Sequence, residues 1–126
     1  MTYYLQTLAT MLTTAGFLDV FYDYDNPQIE ERIFIQNTGG TTETNQPNLR
    51  KDFSLYVRRN NRGTARVDAQ TIFKLLAGNE SQINGILKIT ASSPELYSID
   101  VNSGLASEFI INGVCLCLDN DLNRIF

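Results

Sequence analysis

The sequence predicts an α+β fold: two helices packed on a mostly antiparallel or mixed sheet of about five to six strands. Two segments have apolar residues at helical spacing, and several others alternate between apolar and polar residues as strands do. The last long segment is apolar on both faces, as expected for a strand at the centre of a covered sheet. At 126 residues, the chain has the length of a single domain spanning residues 1–126.

The first helix is predicted near the start of the sequence. Thr2 is the expected N-cap, and Gly16 stands where a residue in the left-handed conformation commonly ends a helix. The apolar positions at helical spacing are Leu5, Leu8, Ala9, Leu12 and Ala15.

The second helix is predicted to follow a turn at residues 60–63. Thr64 is the expected N-cap and Gly78 the expected stop. Asp68 is assigned to the first turn, where a carboxylate suits the positive end of the helix dipole. One apolar face is formed by Ala65, Ala69, Ile72, Phe73 and Leu76.

Strands are predicted on both sides of the second helix. Before it, residues 17–22 and 33–36 are β-rich, with a turn at 23–27 between them, and Phe53, Leu55 and Val57 alternate with polar residues. After it, strands are expected at residues 86–90, 97–101 and 108–118, with a turn at residues 100–104. The strand at 97–101 is the one that the pattern leaves optional.

Residues 37–49 contain almost no apolar side chain and are predicted to form a long polar loop. Loops of more than about 12 residues are uncommon in compact domains and are often functional, although a mobile hairpin tip is the alternative. Gly39 and Gly40 indicate that the backbone adopts angles that other residues disfavour, or that it approaches another group closely. They lack the lysine and the spacing of a phosphate-binding loop.

The composition excludes several classes of protein. No histidine is present, so Ser-His-Asp and Cys-His catalysis and His-containing zinc sites are ruled out. No apolar run approaches the ~20 residues of a membrane helix, and the N-terminus does not resemble a signal peptide. A net charge of -4 argues against a protein that coats nucleic acid generally.

The charges are segregated along the chain. Residues 50–66 carry a net charge of +5, whereas residues 1–49 carry -5 and residues 67–126 carry -4. This pattern suits head-to-tail contact between copies, which closes into a ring if the rotation permits. A phosphate-binding strip and a solvated face with internally paired arginines are the alternatives. The basic residues are Arg50, Lys51, Arg58, Arg59, Arg62 and Arg66.

Two pairs of side chains are candidates for chemistry. Cys115 and Cys117 lie on the same face of a strand and are expected to be core residues, since they make at most half of a zinc site. Asp23 and Asp25 have the residue type for a divalent cation or for acid–base catalysis, but solvated turn residues are expected there, as at Asp119 and Asp121. No catalytic constellation, metal or cofactor is predicted.

Tyr56 lies beside Arg58 and Arg59, and an aromatic ring among basic residues could form a platform that binds single-stranded nucleic acid. One tyrosine is a weak signal for such a platform.

Several segments together resemble a known family. The N-terminal helix is followed by Tyr24-Asp25-Asn26-Pro27, and a strand then ends in Asn37-Thr38-Gly39-Gly40. A later strand ends in Arg58-Arg59, a helix carries residues 69–76, and Ser93-Pro94, a turn and a long strand complete the pattern. In this order the segments resemble the small tail-terminator proteins of long-tailed bacteriophages, often labelled minor capsid or tail-completion proteins.

The resemblance implies a structural protein of the virion rather than an enzyme. Members of that family form hexameric rings on the end of the completed tail tube, stop its polymerisation and present a surface to the head-completion or neck protein. DNA later passes through the lumen. Carried onto this sequence, the basic residues of segment 50–66 would lie at a subunit interface or the lumen. The tube- or lumen-facing residues would be Thr38, Gly39, Gly40, Thr41, Thr42, Glu43 and Asn45.

The sequence leaves three other functions open. A head-completion or neck connector also forms rings that contact DNA. A nucleic-acid-binding module would use residues 50–66 and bind DNA with strong salt dependence. An enzyme that uses Asp23 and Asp25 would be stabilised by a metal ion, because a ligand that binds only the folded state raises the melting temperature.

Overall fold

The computed structural model describes residues 4–42, 48–77, 86–100 and 106–118. Two helices and six strands form in the order α, β, β, β, α, β, β, β, which includes the optional extra strand. The elements are α1 (Tyr4–Thr14), β1 (Val20–Tyr22), β2 (Arg32–Thr42), β3 (Asn48–Arg59), α2 (Arg62–Leu76), β4 (Ile86–Ala91), β5 (Glu95–Asp100) and β6 (Ala106–Leu118).

All six strands belong to one mixed sheet. The strand order is β1-β2-β3-β6-β4, and β5 pairs with β6 beside β4. Only β1 and β2 are parallel among the described pairs. β6 pairs with β3 along its whole length and with β4 and β5 on its other side. The predicted α+β fold class and the central position of the last strand are therefore confirmed.

Alternation along the strands separates the two faces of the sheet. On β3, Phe53, Leu55 and Val57 are buried and form one hydrophobic core with both helices, as periodicity predicts. Tyr56 and Arg58 point to the opposite face and are only half-buried. The described chain thus has two layers, with the helices on one face of the sheet and no helix on the other.

The first helix ends as the sequence predicts, but the next strand is shorter than predicted. Gly16 has φ +101°, and the Phe17 amide donates to the Leu12 carbonyl at 3.0 Å, which closes the helix. The strand begins at Val20 rather than at residue 17, because the chain is still turning at Asp19, where φ is +56°. Thr2, the predicted cap, lies outside the described residues.

The predicted loop at residues 37–49 is wrong for most of its length. Residues 37–42 extend β2 and residues 48–49 begin β3, so the described part of the segment belongs to two antiparallel strands. Backbone pairing with β3 satisfies the polar groups of this stretch, and the absence of apolar side chains therefore does not prevent strand formation. The irregular point is a bulge between Asn37 and Gly39.

The second helix begins earlier than predicted. Its N-cap is Asn61, whose side-chain oxygen accepts the Thr64 amide at 3.1 Å, and Arg62 and Gly63 are helical rather than part of a turn. Thr64 is therefore not the cap. Asp68 is the seventh helical residue and not part of the first turn, which contains no acidic residue. Asn competes well with Thr for a cap position, which explains the three-residue shift.

Two predicted strands after α2 begin two residues earlier than predicted. β5 begins at Glu95 and ends at Asp100, so Asp100 belongs to the strand rather than to the following turn, and β6 begins at Ala106. Residues 101–104 of that turn, the predicted helix stop Gly78, and Asp119 and Asp121 lie outside the described residues. Neither α1 nor α2 is long and apolar enough to cross a membrane.

Candidate assembly surfaces

The basic residues of segment 50–66 do not form one continuous strip. Arg50 and Lys51 lie at one end of β3, and Arg58 and Arg59 lie at the other, about 26 Å away at the usual rise per residue. Successive side chains on a strand point to opposite faces. Arg50 and Arg58 are thus on the open face, and the other two are on the helix-bearing face.

Two of these arginines are paired within the fold. Arg59 Nε lies 2.7 Å from Asp68 Oδ2, and both side chains are largely shielded, with 12% and 26% of their surface exposed. Arg50 Nε lies 2.9 Å from Asp52 Oδ1 in a more exposed pair. For these two residues, the structure favours the alternative that the arginines pair internally.

The outward face of α2 carries cations that no acidic residue of the described ranges neutralises. Arg62, Arg66 and Lys74 are exposed and have no acidic partner among the described residues. Arg62 and Arg66 are four residues apart and adjoin each other on one side of the helix. Lys74 lies eight residues after Arg66, about 80° further round the helix axis. Val67, on the same outward side, is 63% exposed. We call Arg62, Arg66, Val67 and Lys74 the cationic stripe.

An acidic surface surrounds the edge strand β1. Residues 18–31 contain five carboxylates and no basic residue. Asp19 and Glu30 are exposed and have no charged partner in the described part of the chain. Leu18 and Tyr24, which lie on either side of β1, are 74% and 84% exposed. We call Leu18, Asp19, Tyr24 and Glu30 the acidic edge.

Two other carboxylates of this segment have partners. Asp25 holds Arg32 through two hydrogen bonds of 2.7 and 3.1 Å, and Glu31 accepts the Asn60 amide at 3.0 Å. Asp23 follows β1 with φ +68°, a conformation that Asp tolerates better than most residues. No cluster of three or more potential metal ligands occurs within the described ranges. Asp25 follows β1 in the predicted turn region, but it is paired with Arg32, whereas the sequence predicts a solvated residue.

Five of the predicted tube- or lumen-facing residues lie at the end of β2. Thr38, Gly39, Gly40, Thr41 and Thr42 all belong to β2. Gly39 has φ +131°, and its amide donates to Asn37 Oδ1 at 2.8 Å, so a bulge fixes the backbone here. Glu43 and Asn45 lie outside the described residues. The functional roles expected of these residues stay predictions.

The open face of the sheet carries an aromatic cluster. Phe34 and Tyr56 are stacked with ring centroids 6.1 Å apart, and Tyr97 meets Tyr56 edge-on at 5.1 Å. With Arg32 and Glu108 they line a shallow cleft of about 210 Å³. Burial, and then the proximity of Tyr97 and Glu108, raises the pKa of the Tyr56 phenol, so it stays neutral and can donate a hydrogen bond. The cleft combines aromatic rings with two carboxylates, Asp25 and Glu108, and one guanidinium, that of Arg32, and this surplus of negative charge does not favour a phosphate chain.

The two cysteines are core residues, as predicted. Cys115 and Cys117 are buried on the helix-bearing face of β6 and are not disulfide-bonded. Burial raises the pKa of the Cys117 thiol to about 11, although the nearby Lys51 lowers it slightly. Burial raises the pKa of Cys115 further. Both groups are therefore neutral thiols at physiological pH.

Comparison with known proteins gives a likeness of fold. No family model and no curated protein matches the sequence. A chain in the solved virion of a native gene transfer agent particle has the same fold, with a TM-score of 0.56 and 12% sequence identity. The match covers 89% of this chain and 90% of that chain. At this identity, the similarity shows that the two chains share a fold over nearly their whole length.

Sequence reasoning missed parts of both charged surfaces. Lys74 lies outside the basic segment 50–66, although its spacing of eight from Arg66 places it within about 80° of Arg66 around α2. The acidic surplus of residues 1–49 was predicted, but not its concentration around β1. The sequence signal was the run 18–31, which contains five acids and no base. The exposure of Leu18 and Tyr24 had no sequence signal, because apolar residues beside a strand are usually buried.

Proposed function

We propose that this chain is a structural, non-enzymatic protein of a phage-type virion that forms a ring, most simply a hexamer, on the end of the tail tube. The observation that carries the proposal is the fold shared over 90% of a chain of the gene transfer agent virion. The family resemblance of the sequence supplies the finer role: the ring ends tube polymerisation and presents a docking surface to the head-completion or neck protein. Viral DNA passes through the lumen without sequence-specific binding.

The distribution of charge supports self-assembly. The cationic stripe and the acidic edge are different surfaces of one chain, so a contact between them is heterologous. A heterologous contact repeats from copy to copy and produces a ring when the rotation closes. The protein would occupy the virion tail or neck after assembly in the host bacterial cytoplasm.

A nucleic-acid-binding module is the second candidate, favoured by Arg62 and Arg66, which have no acidic partner in the described part of the chain. It differs from the ring protein in what the isolated chain does. A DNA-binding module would bind duplex DNA with an affinity that falls steeply with salt. A head-completion or neck connector would also form a ring but would bind the portal side of the neck rather than the tail tube.

The experiment that tests the proposed role is a capping assay on tail tubes from the particle that carries the chain. Tube protein is allowed to polymerise with and without the purified full chain, and tube lengths are measured by electron microscopy. We expect tubes to stop growing and to carry a ring at one end. Unchanged tube lengths and bare ends would contradict the proposal. Salt-sensitive binding of a duplex DNA fragment by the isolated chain, together with bare tubes, would favour the second candidate.

A further inference from the structure

The cationic stripe of α2 breaks two local rules of helix stability. Arg62 opens the helix, although a cation is unfavourable near the positive end of the helix dipole, and no acid stands in the first turn. Arg62 and Arg66 are four residues apart, and like charges at that spacing repel each other. Local rules are often broken where a residue serves a function rather than the stability of its own element.

The apolar residue of the stripe, Val67, is also placed where it contributes little to the stability of its own chain. Val67 is 63% exposed although it lies in the first half of a well-formed helix, between the two arginines and Lys74. An apolar side chain flanked by cations on an outward face suits a partner that has an apolar residue surrounded by carboxylates.

The acidic edge has this complementary composition. Leu18 and Tyr24 are the two most exposed large apolar side chains of the described residues, and Asp19 and Glu30 accompany them without charged partners. β1 is the last described strand on its side of the sheet, so this surface lies at a lateral boundary of the described structure. α2 packs on β6, β3 and β4. The two surfaces are therefore carried by different elements, which come close where the Glu31 carboxylate accepts the Asn60 amide just before α2 and where Leu18 and Asp19 line a pocket with Asp68.

We infer that the acidic edge of one copy docks on the cationic stripe of the next copy and that this contact builds the ring. The inference rests on the proposed function and assigns its subunit interface. The carboxylates of Asp19 and Glu30 face the guanidinium groups of Arg62 and Arg66 across the contact, and Leu18 and Tyr24 cover Val67. A second copy is favoured over nucleic acid because Val67 adds an apolar component and because the same chain supplies the opposite charge. Arg59 and Arg50 are not part of the contact, since each is paired within its own subunit.

Two charge variants test the inference directly. R62E/R66E makes the stripe acidic, and D19N/E30R makes the edge basic while Asn keeps the left-handed conformation at position 19. Each variant alone places like charges opposite each other at every contact. We expect its assembly constant to weaken by about tenfold or more relative to the wild type, since facing like charges cost several kcal/mol and 1.4 kcal/mol is tenfold.

An equal mixture of the two variants separates this contact from a folding defect. In a ring that alternates the two chains, every contact again pairs an acidic surface with a basic one, so the mixture should assemble where each variant alone does not. An even-membered ring such as a hexamer permits the alternation. R50E/K88E is the matched control, because it changes the net charge by the same amount as R62E/R66E at exposed positions at the other end of the sheet. It should assemble like the wild type.

The readout is native mass spectrometry of the full chains, alone and on tail tubes, with circular dichroism to show that each variant is folded. Recovery of assembly only in the mixture supports the inference. The inferred contact would be overturned if R62E/R66E or D19N/E30R formed rings by itself. It would also be overturned if R50E/K88E were the variant that lost its rings. Either result would leave the ring proposal intact. A wild-type chain that stays monomeric in both conditions would overturn both. Salt-sensitive binding of duplex DNA that R62E/R66E abolishes, without wild-type rings, would identify the stripe as a nucleic-acid surface instead.

Discussion

Phe53 lies directly opposite Gly113 in the β3–β6 pair, and its ring occupies the space where a side chain at position 113 would stand. A Cβ added to Gly113 would lie 2.7 Å from Phe53 Cε1 and 2.8 Å from the Thr90 carbonyl oxygen. Phe53 is 1% exposed and stands in the centre of the core. The glycine therefore leaves room for the Phe53 ring beside the central strand β6.

This relationship predicts that Gly113→Ala destabilises the protein. The added methyl group must displace a buried ring and a backbone carbonyl, so we expect a loss of about 1–3 kcal/mol in the free energy of unfolding. Urea denaturation measures it. In the Phe53→Leu background the additional loss should be smaller, because one of the two obstacles is reduced. An equal loss in both backgrounds would show that the ring does not limit the space at Gly113.

The two ion pairs on the basic segment are expected to differ in strength. Asp68→Asn leaves the largely shielded Arg59 without its carboxylate and should cost about 1–3 kcal/mol, as for hydrogen bonds to charged groups. Asp52→Asn breaks the Arg50 pair, whose arginine is 56% exposed, and should cost less than about 1 kcal/mol. Urea denaturation of both variants makes the comparison. A larger effect at Asp52 would contradict the different burial of the two pairs.

The position of the helix cap gives a second matched pair. Asn61→Ala removes the oxygen that accepts the Thr64 amide and should lower the free energy of unfolding by about 1 kcal/mol. Thr64→Ala should change it by only a few tenths of a kcal/mol, since Thr64 contributes its backbone amide and not its hydroxyl to the cap. Thermal melts of the two variants decide between the caps. A larger loss of stability for Thr64→Ala than for Asn61→Ala would show that Thr64 is the cap, as the sequence predicts.

The buried thiols predict slow chemistry and a defined loss of stability at alkaline pH. At pH 8 neither Cys115 nor Cys117 should react quickly with a disulfide reagent in the folded protein, and both should react in guanidinium chloride. The Cys117 pKa rises from 9.0 to about 11 on folding. The folded state thus holds a proton that the unfolded state releases above pH 9, and stability falls as the pH rises through this interval. Cys117→Ala should flatten that part of the pH profile, and an unchanged slope would show that other groups cause it.

Particular residues show how far sequence alone leads. Periodicity found the helices and the core because Leu5, Leu8, Leu55 and Val57 repeat at the spacings of a helix and a strand. The extension of β2 at residues 37–42 was missed because its pairing depends on backbone groups, which leave no pattern in side-chain polarity.

The candidate surfaces, too, could be predicted only in part from the sequence. The sequence located the surplus of positive charge, but the pairing of Arg59 with Asp68 is a contact nine residues apart that depends on how β3 leads into α2. Which arginines stay unpaired is therefore a property of the folded chain. The spacing of Lys74 was readable from the sequence, whereas the exposure of Leu18 and Tyr24 was not.

Native mass spectrometry of the purified chain, alone and with tail tubes, tests the ring proposal most directly. The proposal predicts a species of six copies of the 14.2 kDa chain in at least one of the two conditions. It also predicts that high salt weakens this species, since a contact between the cationic stripe and the acidic edge is screened. A chain that remains a monomer in both conditions and does not bind the tube would contradict the proposal.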